Sequence, residues 1–203
     1  MNPLEIEVKF FLNNKESICR RIEQLNAVSL GREFEINTCY DDFAQKLYNN
    51  KSLLRLRQNK KNILTLKLKP PENSTDFKIM QELEVEVSDF TGMSKILQAL
   101  GFQKQQIYEK WRETFKWRDA IICLDTMPFG EFMELEGPGS TIIELSRKLG
   151  LQWEKRILLN YLAIFSAIKK EFKLPFNDLT FDNFTTISLD FNHFLNQFEA
   201  GSK

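Results

Sequence analysis

Glu5-Ile6-Glu7-Val8-Lys9 decides how the rest of the chain is read. In a β-strand successive side chains point to opposite faces, so Glu5, Glu7 and Lys9 share one face while Ile6, Val8 and Phe10 share the other. An ordinary half-buried strand with its charges in water reads the same way. The distinction rests on whether other strands repeat the pattern, and on where their charged faces converge.

They do repeat it. Leu53 to Gln58 sets Arg55 and Arg57 against Leu54 and Leu56, and Ile63 to Lys69 sets Lys67 and Lys69 against Leu66 and Leu68. Lys78 to Val87 places Glu82, Glu84 and Glu86 opposite Leu83, Val85 and Val87. Ile107 to Trp117 carries Lys110, Arg112 and Lys116 on one face with Trp111 and Phe115 on the other. Asp125 lies opposite Leu124 in the strand from Ala120 to Thr126, and Glu134 and Glu136 oppose Met133 and Leu135 in the strand from Glu131 to Glu136. With a further strand over Glu33 to Asp42, eight are expected.

Four helices are expected beside them. Asn14 to Ala27 is capped by Asn13 or Asn14, and a second helix runs from a Ser88 or Asp89 cap to Leu100, stopped by Gly101. The others cover Ser140 to Leu149, closed by Gly150, and Glu154 to Phe172. Phe43 to Asn50 and Pro70 to Asp76 read as loops. The result is an α+β domain. Its strands either form an open sheet with charges in bulk solvent, or close on themselves with helices outside and charges within.

Residue identity favours closure. Solvent faces usually mix signs, whereas here each strand tends to carry a block of one sign. Small barrels normally fill with apolar side chains, because a buried unpaired charge costs several kcal/mol, so a charged lumen is affordable only if it is wet and binds ions. Carboxylate pairs such as Glu5/Glu7 and Glu134/Glu136 suit a hard divalent cation; Arg and Lys suit phosphate oxygens. The combination fits a metal-bound polyphosphate.

Composition narrows the alternatives. The 203 residues fit one domain, and 28 basic residues balance 28 acidic ones, so no global field favours nucleic acid or a membrane. Cys19, Cys39 and Cys123 are odd in number and widely spaced, which argues against a disulfide framework or a zinc site and for reduced thiols. The single histidine, His193, leaves oxygen ligands for any metal, hence Mg²⁺, Mn²⁺ or Ca²⁺. The longest apolar run, Ile157 to Ile168, is broken by Asn160 and too short to span a bilayer. A soluble cytoplasmic protein is expected.

At these residues the sequence resembles the CYTH domain of the triphosphate tunnel metalloenzymes. The resemblance begins with the Glu-x-Glu-x-Lys of Glu5 to Lys9 and continues through Asn37-Thr38-Cys39-Tyr40-Asp41, Leu54-Arg55-Leu56-Arg57, Leu64-Thr65-Leu66-Lys67 and Glu82-Leu83-Glu84-Val85-Glu86. It ends with Lys110-Trp111-Arg112-Glu113-Thr114, Leu124-Asp125 and the stretch from Phe129 to Gly137, spanning roughly the first 165 residues. It implies an eight-stranded antiparallel closed barrel with helices outside, and Mg²⁺ or Mn²⁺ as cofactor. By position, it implies that Glu5, Glu7, Glu134 and Glu136 hold metal and that Lys9, Arg55, Arg57, Lys67, Lys110 and Arg112 bind phosphate. Glu5, Glu7, Lys9 and Asp125 form the catalytic set, with Glu82 and Glu84 in the supporting lining. The expected activity is metal-dependent hydrolysis of a small-molecule triphosphate. Class IV adenylyl cyclisation and a non-catalytic polyphosphate-binding module are the alternatives.

The pattern departs from the family in three places. Met80 stands where many members carry a basic residue, with Lys78 the nearest substitute; Leu159-Asn160-Tyr161 replaces a basic residue and Ser before Tyr, with Lys155 and Arg156 displaced upstream. The third departure is the tail. The tunnel domain is assigned to residues 1–172, and 173–203 is a Phe-rich extension in which Leu189, Phe191, Phe194, Leu195 and Phe198 fit one helix face after a Ser188 cap. It is expected to pack on the outer surface; a plug over a tunnel mouth or a homodimer contact is the sharper alternative. Gly201 to Lys203 reads as a disordered end.

Overall fold

The computed structural model describes residues 4–70, 74–188 and 190–202. In chain order its elements are β1 (Leu4–Phe11), α1 (Lys15–Gln24), β2 (Val28–Asp41), α2 (Lys46–Asn49), β3 (Leu53–Gln58), β4 (Asn62–Leu68), β5 (Lys78–Val87), α3 (Phe90–Ala99) and β6 (Gln103–Trp117). They continue with β7 (Ala120–Met127), β8 (Gly130–Glu136), α4 (Gly139–Lys148), α5 (Tyr161–Phe172), α6 (Phe181–Phe184) and α7 (Asn192–Leu195). All eight strands pair antiparallel into one closed barrel, in the order β1-β5-β4-β3-β2-β6-β7-β8. Closure is the outcome that the block-wise charge pattern favoured.

The outward faces are apolar and are covered from two sides, while Leu83 and Val85 of β5 stay exposed. Val8, Phe10, Ile122, Leu124, Met133 and Leu135 pack under α1 and α4 through Ile18, Ile22, Ile142 and Leu145. On the other side Tyr40, Leu54 and Leu56 pack under α3 through Leu97, with the Tyr40 hydroxyl 2.9 Å from Ser94 Oγ. The Asn14 side chain accepts from the Ser17 amide and starts α1 as expected. After α4, Gly150 turns the chain at φ +64°, where a Cβ would fall 1.6 Å from an Arg21 Nη that donates to the Leu149 carbonyl. That hydrogen bond ties α1 to the end of α4.

Four expectations change. The strand expected from Glu33 begins at Val28, because Val28 to Arg32 pairs with β6 past a bulge near Gly31. Phe43 to Asn50 contains a helical turn, α2, anchored by the Asp41 carboxylate, which accepts from the Leu47 and Tyr48 amides. The helix expected over Glu154 to Phe172 is broken: Ile157 forms a bridge with Lys9 through N···O distances of 3.2 and 2.7 Å, and α5 starts only at Tyr161, capped by Asn160. An open strand edge takes precedence over helix propensity there. The tail is several short turns rather than one helix, with residues 200–202 in a helical turn; the loop positions 71–73, Leu189 and Lys203 lie outside the described residues.

The outer core sets the stability of the barrel. Leu135 is fully buried between β8 and α4, so Leu135→Ala is expected to lower the unfolding free energy by about 2–5 kcal/mol, measured as a shift of the urea midpoint at unchanged slope.

Candidate active site

The inward faces meet in a chamber whose order follows from strand register. Cross-strand neighbours are the closest side chains in a sheet, and here opposite charges face one another: Lys9 and Glu134, Glu7 and Lys78, Lys67 and Glu82, Glu35 and Lys110, Arg112 and Asp125. The ion pairs follow. Lys78 lies 2.5 Å from Glu7, Lys67 2.6 Å from Glu5 and 2.9 Å from Glu82, and Lys110 3.0 Å from Asp125. Arg112 binds Asp125 with two nitrogens, at 2.7 and 2.5 Å, and also pairs with Glu134, which pairs in turn with Lys9. Arg55 reaches toward Glu82 and Glu84 at 3.8 and 3.7 Å, and Arg57 toward Glu35 at 3.5 Å.

Every site residue expected from the sequence therefore lines this lumen. The sequence reading missed Glu35, Asn37, Thr65, Tyr108, Cys123 and Tyr161. Glu35 and Asn37 lie on the lumen face of β2, where Asn37 accepts from Arg57 Nε at 3.2 Å. The strand alternation around Ile36 was the available signal. Tyr108 accepts from Arg55 at 3.1 Å, and the Tyr161 hydroxyl donates to Asp125 at 2.8 Å. Tyr108 shares the alternation face of Lys110 and Arg112, which was the available signal for it, whereas Tyr161 starts a helix and no strand alternation places its phenol.

Two family departures resolve in space. Lys78 supplies a cation to the lumen two residues before Met80. Arg156 does not, since it donates to Thr75 and Asp76 outside the barrel, and Lys155 borders an outer hollow of about 270 Å³ beside α1. The start of α5 contributes Tyr161 instead, whose ring lies 4.1 Å from the Lys9 ammonium.

The electrostatics sort the carboxylates into two groups. Burial alone would raise all of them, but Lys78 with Lys9 and Lys67 brings Glu7 down to about 2, and Lys110, Arg112, Arg57 and Arg55 bring Glu35 down to about 2. Lys9, Arg112 and Lys110 likewise hold Glu134 well below the usual range against its burial. Glu136 goes the other way, to about 7, through burial and the nearby charges of Glu5 and Glu7. Register explains the exception: Glu136 faces Glu7 on one side and Ile121 on the other. Glu5 is raised too, by burial and Glu7 against the pull of Lys67. The lumen thus has an under-neutralised acidic end at Glu5 and Glu136, bordering a hollow of about 430 Å³ lined by Leu4, Ile6, Gly137 and Pro138.

Hard oxygen donors with excess negative charge fit a divalent cation. Among the described residues no three acidic, His or Cys side chains converge as a ready metal cage, because Glu7 and Glu134 are held by lysines and arginine. The basic side has open valences as well. Arg55 Nε and Asn37 Nδ2 are buried donors, and Glu35 Oε2 a buried acceptor, without a protein partner, which a native interior seldom tolerates unless water or a ligand takes them up. Cys123, in the same lumen, is pushed to about 12 by burial and the charges of Asp125 and Glu134, and so stays a thiol.

The CYTH domain family matches residues 3–161. The chain belongs to the CYTH family. Its barrel is similar to that of a proposed adenylate cyclase from Vibrio parahaemolyticus, with TM-score 0.72 and 19% identity over 82% of this chain and 99% of that one. PH1012 of Pyrococcus horikoshii OT3 is 28% identical, with TM-score 0.66 over 77% of this chain and 96% of that one. HpAC1 from Hippeastrum, a proposed adenylyl cyclase described as having a dominant triphosphatase activity, aligns at TM-score 0.61 and 18% identity over 80% and 95% of the two chains. No curated protein matches the sequence. No helix among the described residues is long and apolar enough to cross a membrane.

The acidic end gives a pH prediction for the metal-free protein. Below about pH 4.5 Glu136 is protonated whether folded or not and contributes nothing; as pH rises toward 7 the unfolded state loses its proton first, so stability falls. Glu136→Gln in chelator is therefore expected to gain stability over the wild type between about pH 4.5 and 7 and to hold that gain above, read from Tm against pH.

Proposed function

We propose that the chain is a divalent-metal-dependent hydrolase of a small-molecule triphosphate bound in the barrel. The observation that supports this most directly is the pair of buried, unpartnered donors, Arg55 Nε and Asn37 Nδ2, on a lumen wall that also carries Arg57, Lys67, Lys110 and Arg112. Phosphate oxygens are the acceptors that such donors fit. The internal ion pairs with Glu35, Glu82 and Asp125 hold these cations in place, and phosphate oxygens would compete with those carboxylates as partners.

Charge balance calls for a cation to accompany the substrate. Lumen carboxylates already match the lumen cations nearly one for one, so a polyanion by itself would add uncompensated negative charge to a low-dielectric space. Glu5, Glu7, Glu134 and Glu136 would hold Mg²⁺ or Mn²⁺. The chemistry supplied by the ion there is neutralisation of phosphate charge and polarisation of the attacking water. The chain's own residues do the positioning. Arg55, Arg57 and Lys67 grip one wall of the phosphate chain, and Lys9, Lys110 and Arg112 grip the other, which is what a loose phosphoryl-transfer transition state requires. No side chain is set up as a nucleophile: the Cys123 thiol is held protonated, and burial with the charge of Asp125 raises the Tyr161 phenol well above its usual range.

The test is product analysis. Incubation with tripolyphosphate, ATP or thiamine triphosphate plus Mg²⁺ or Mn²⁺ is expected to release orthophosphate, with Glu7→Gln lowering kcat at least ~100-fold while near-ultraviolet dichroism is retained. Cyclic AMP and pyrophosphate from ATP would replace hydrolysis by cyclisation. Binding without turnover of any of the three would make the chain a polyphosphate-binding module.

A further inference from the structure

The barrel interior is not charged along its whole length. Toward the ends of β1, β2, β3, β7 and β8 nearest α5, the residues next on the lumen face are Phe11, Cys39, Leu53, Met127 and Phe132, and these join one apolar cluster with α5 and the tail. Phe165, Leu179, Phe184, Phe191 and Leu195 of that cluster are nearly all inaccessible to solvent. The boundary between the two halves is made by two phenols. The rings of Tyr108 and Tyr161 belong to the apolar cluster, while their hydroxyls reach Arg55 and Asp125 in the charged half.

The tail is fastened there by backbone. β6 outruns its pairing with β7, which ends at Trp111 and Thr126, and Leu179 occupies the exposed edge. The Leu179 amide donates to the Ile107 carbonyl at 2.8 Å, the Glu109 amide donates to the Leu179 carbonyl at 2.9 Å, and Asp178 accepts from the Ile107 amide at 2.8 Å. Ile157 does the same for β1, where pairing with β5 stops at Glu7. Toward the opposite end the side chains of β5 are more exposed, 16% at Glu82 and 46% at Glu84.

We propose that α5, residues 174–188 and residues 190–201 close one mouth of the barrel, leaving a blind chamber that admits only the end of a phosphate chain, through the mouth beside Glu5 and Glu136. This rests on the triphosphate reading above and adds a substrate limit to it. From Glu5 to Lys9 the wall of β1 is roughly 13 Å long at ~3.3 Å per residue, after which the Tyr161 ring stops further travel. Any group attached to the chain stays outside, and internal segments of a long polyphosphate cannot slide through.

Two measurements on the full-length protein decide it. Linear polyphosphates of graded length compete with tripolyphosphate at fixed free Mg²⁺, and the inhibition constant per mole of chain is expected to stay constant within about twofold as length grows tenfold, because every chain has two ends. Inhibition that strengthens in proportion to length would mean threading through an open tunnel and would overturn the proposal. Hydrogen exchange is independent of any ligand. Amides of the peptide covering 178–181 are expected to exchange about two orders of magnitude slower than an unstructured peptide, and exchange at the unstructured rate would overturn the closure. If no polyphosphate binds, the triphosphate reading falls and the chain-end limit with it, while slow exchange at 178–181 would still establish the closed end.

Discussion

Charges of both signs enclosed by a sheet must neutralise one another or be neutralised by a ligand, and in this barrel the strand register decides which. Five pairs of neighbouring strands set a cation directly across from a carboxylate, so most of the lumen is compensated as soon as the strands close. A register slip by one residue would turn every one of these side chains outward and bring Ile6, Val8, Leu54 and Leu56 inside. Outer apolar core and inner ion pairs therefore specify the same register.

The exceptions to compensation are as informative as the rule. Glu136 faces Glu7 across one strand and Ile121 across the other, so neither cross-strand neighbour is a cation, and the resulting concentration of negative charge lies beside Glu5. Arg55 and Asn37 are left with spare donors deeper inside. Uncompensated negative charge and unsatisfied donors on the same barrel lining are the two features on which the proposed metal-bound triphosphate reading rests.

Along the barrel axis the interior changes character, from ion pairs to packed aromatic rings. Phe132 stacks edge-on against Tyr161 at 5.3 Å between centroids, and Phe165, Phe184 and Phe191 continue the packing into the tail. The two phenols let one wall serve both halves, since an apolar ring ends in a polar group. Residues beyond 161, outside the family match, supply most of this packing.

The alternation in β1, β3, β5 and β8 was legible in the sequence because a period of two separates faces whatever the fold, and the same-sign blocks showed that the charged face is not a solvent face. Local chemistry also narrowed the first cap to Asn13 or Asn14, of which the structure uses Asn14, and placed the Gly150 stop. Partners were not legible: that Lys78 meets Glu7, that Arg156 turns away, that Ile157 leaves its expected helix to fill a strand edge, or that Leu179 fills another. Those outcomes depend on where each strand runs out of a neighbour, which is set by the stagger of a closed sheet. Periodicity along one chain determined which side chains face inward; only closure of the barrel decided which of them meet, because opposition across strands is a relation between segments distant in sequence.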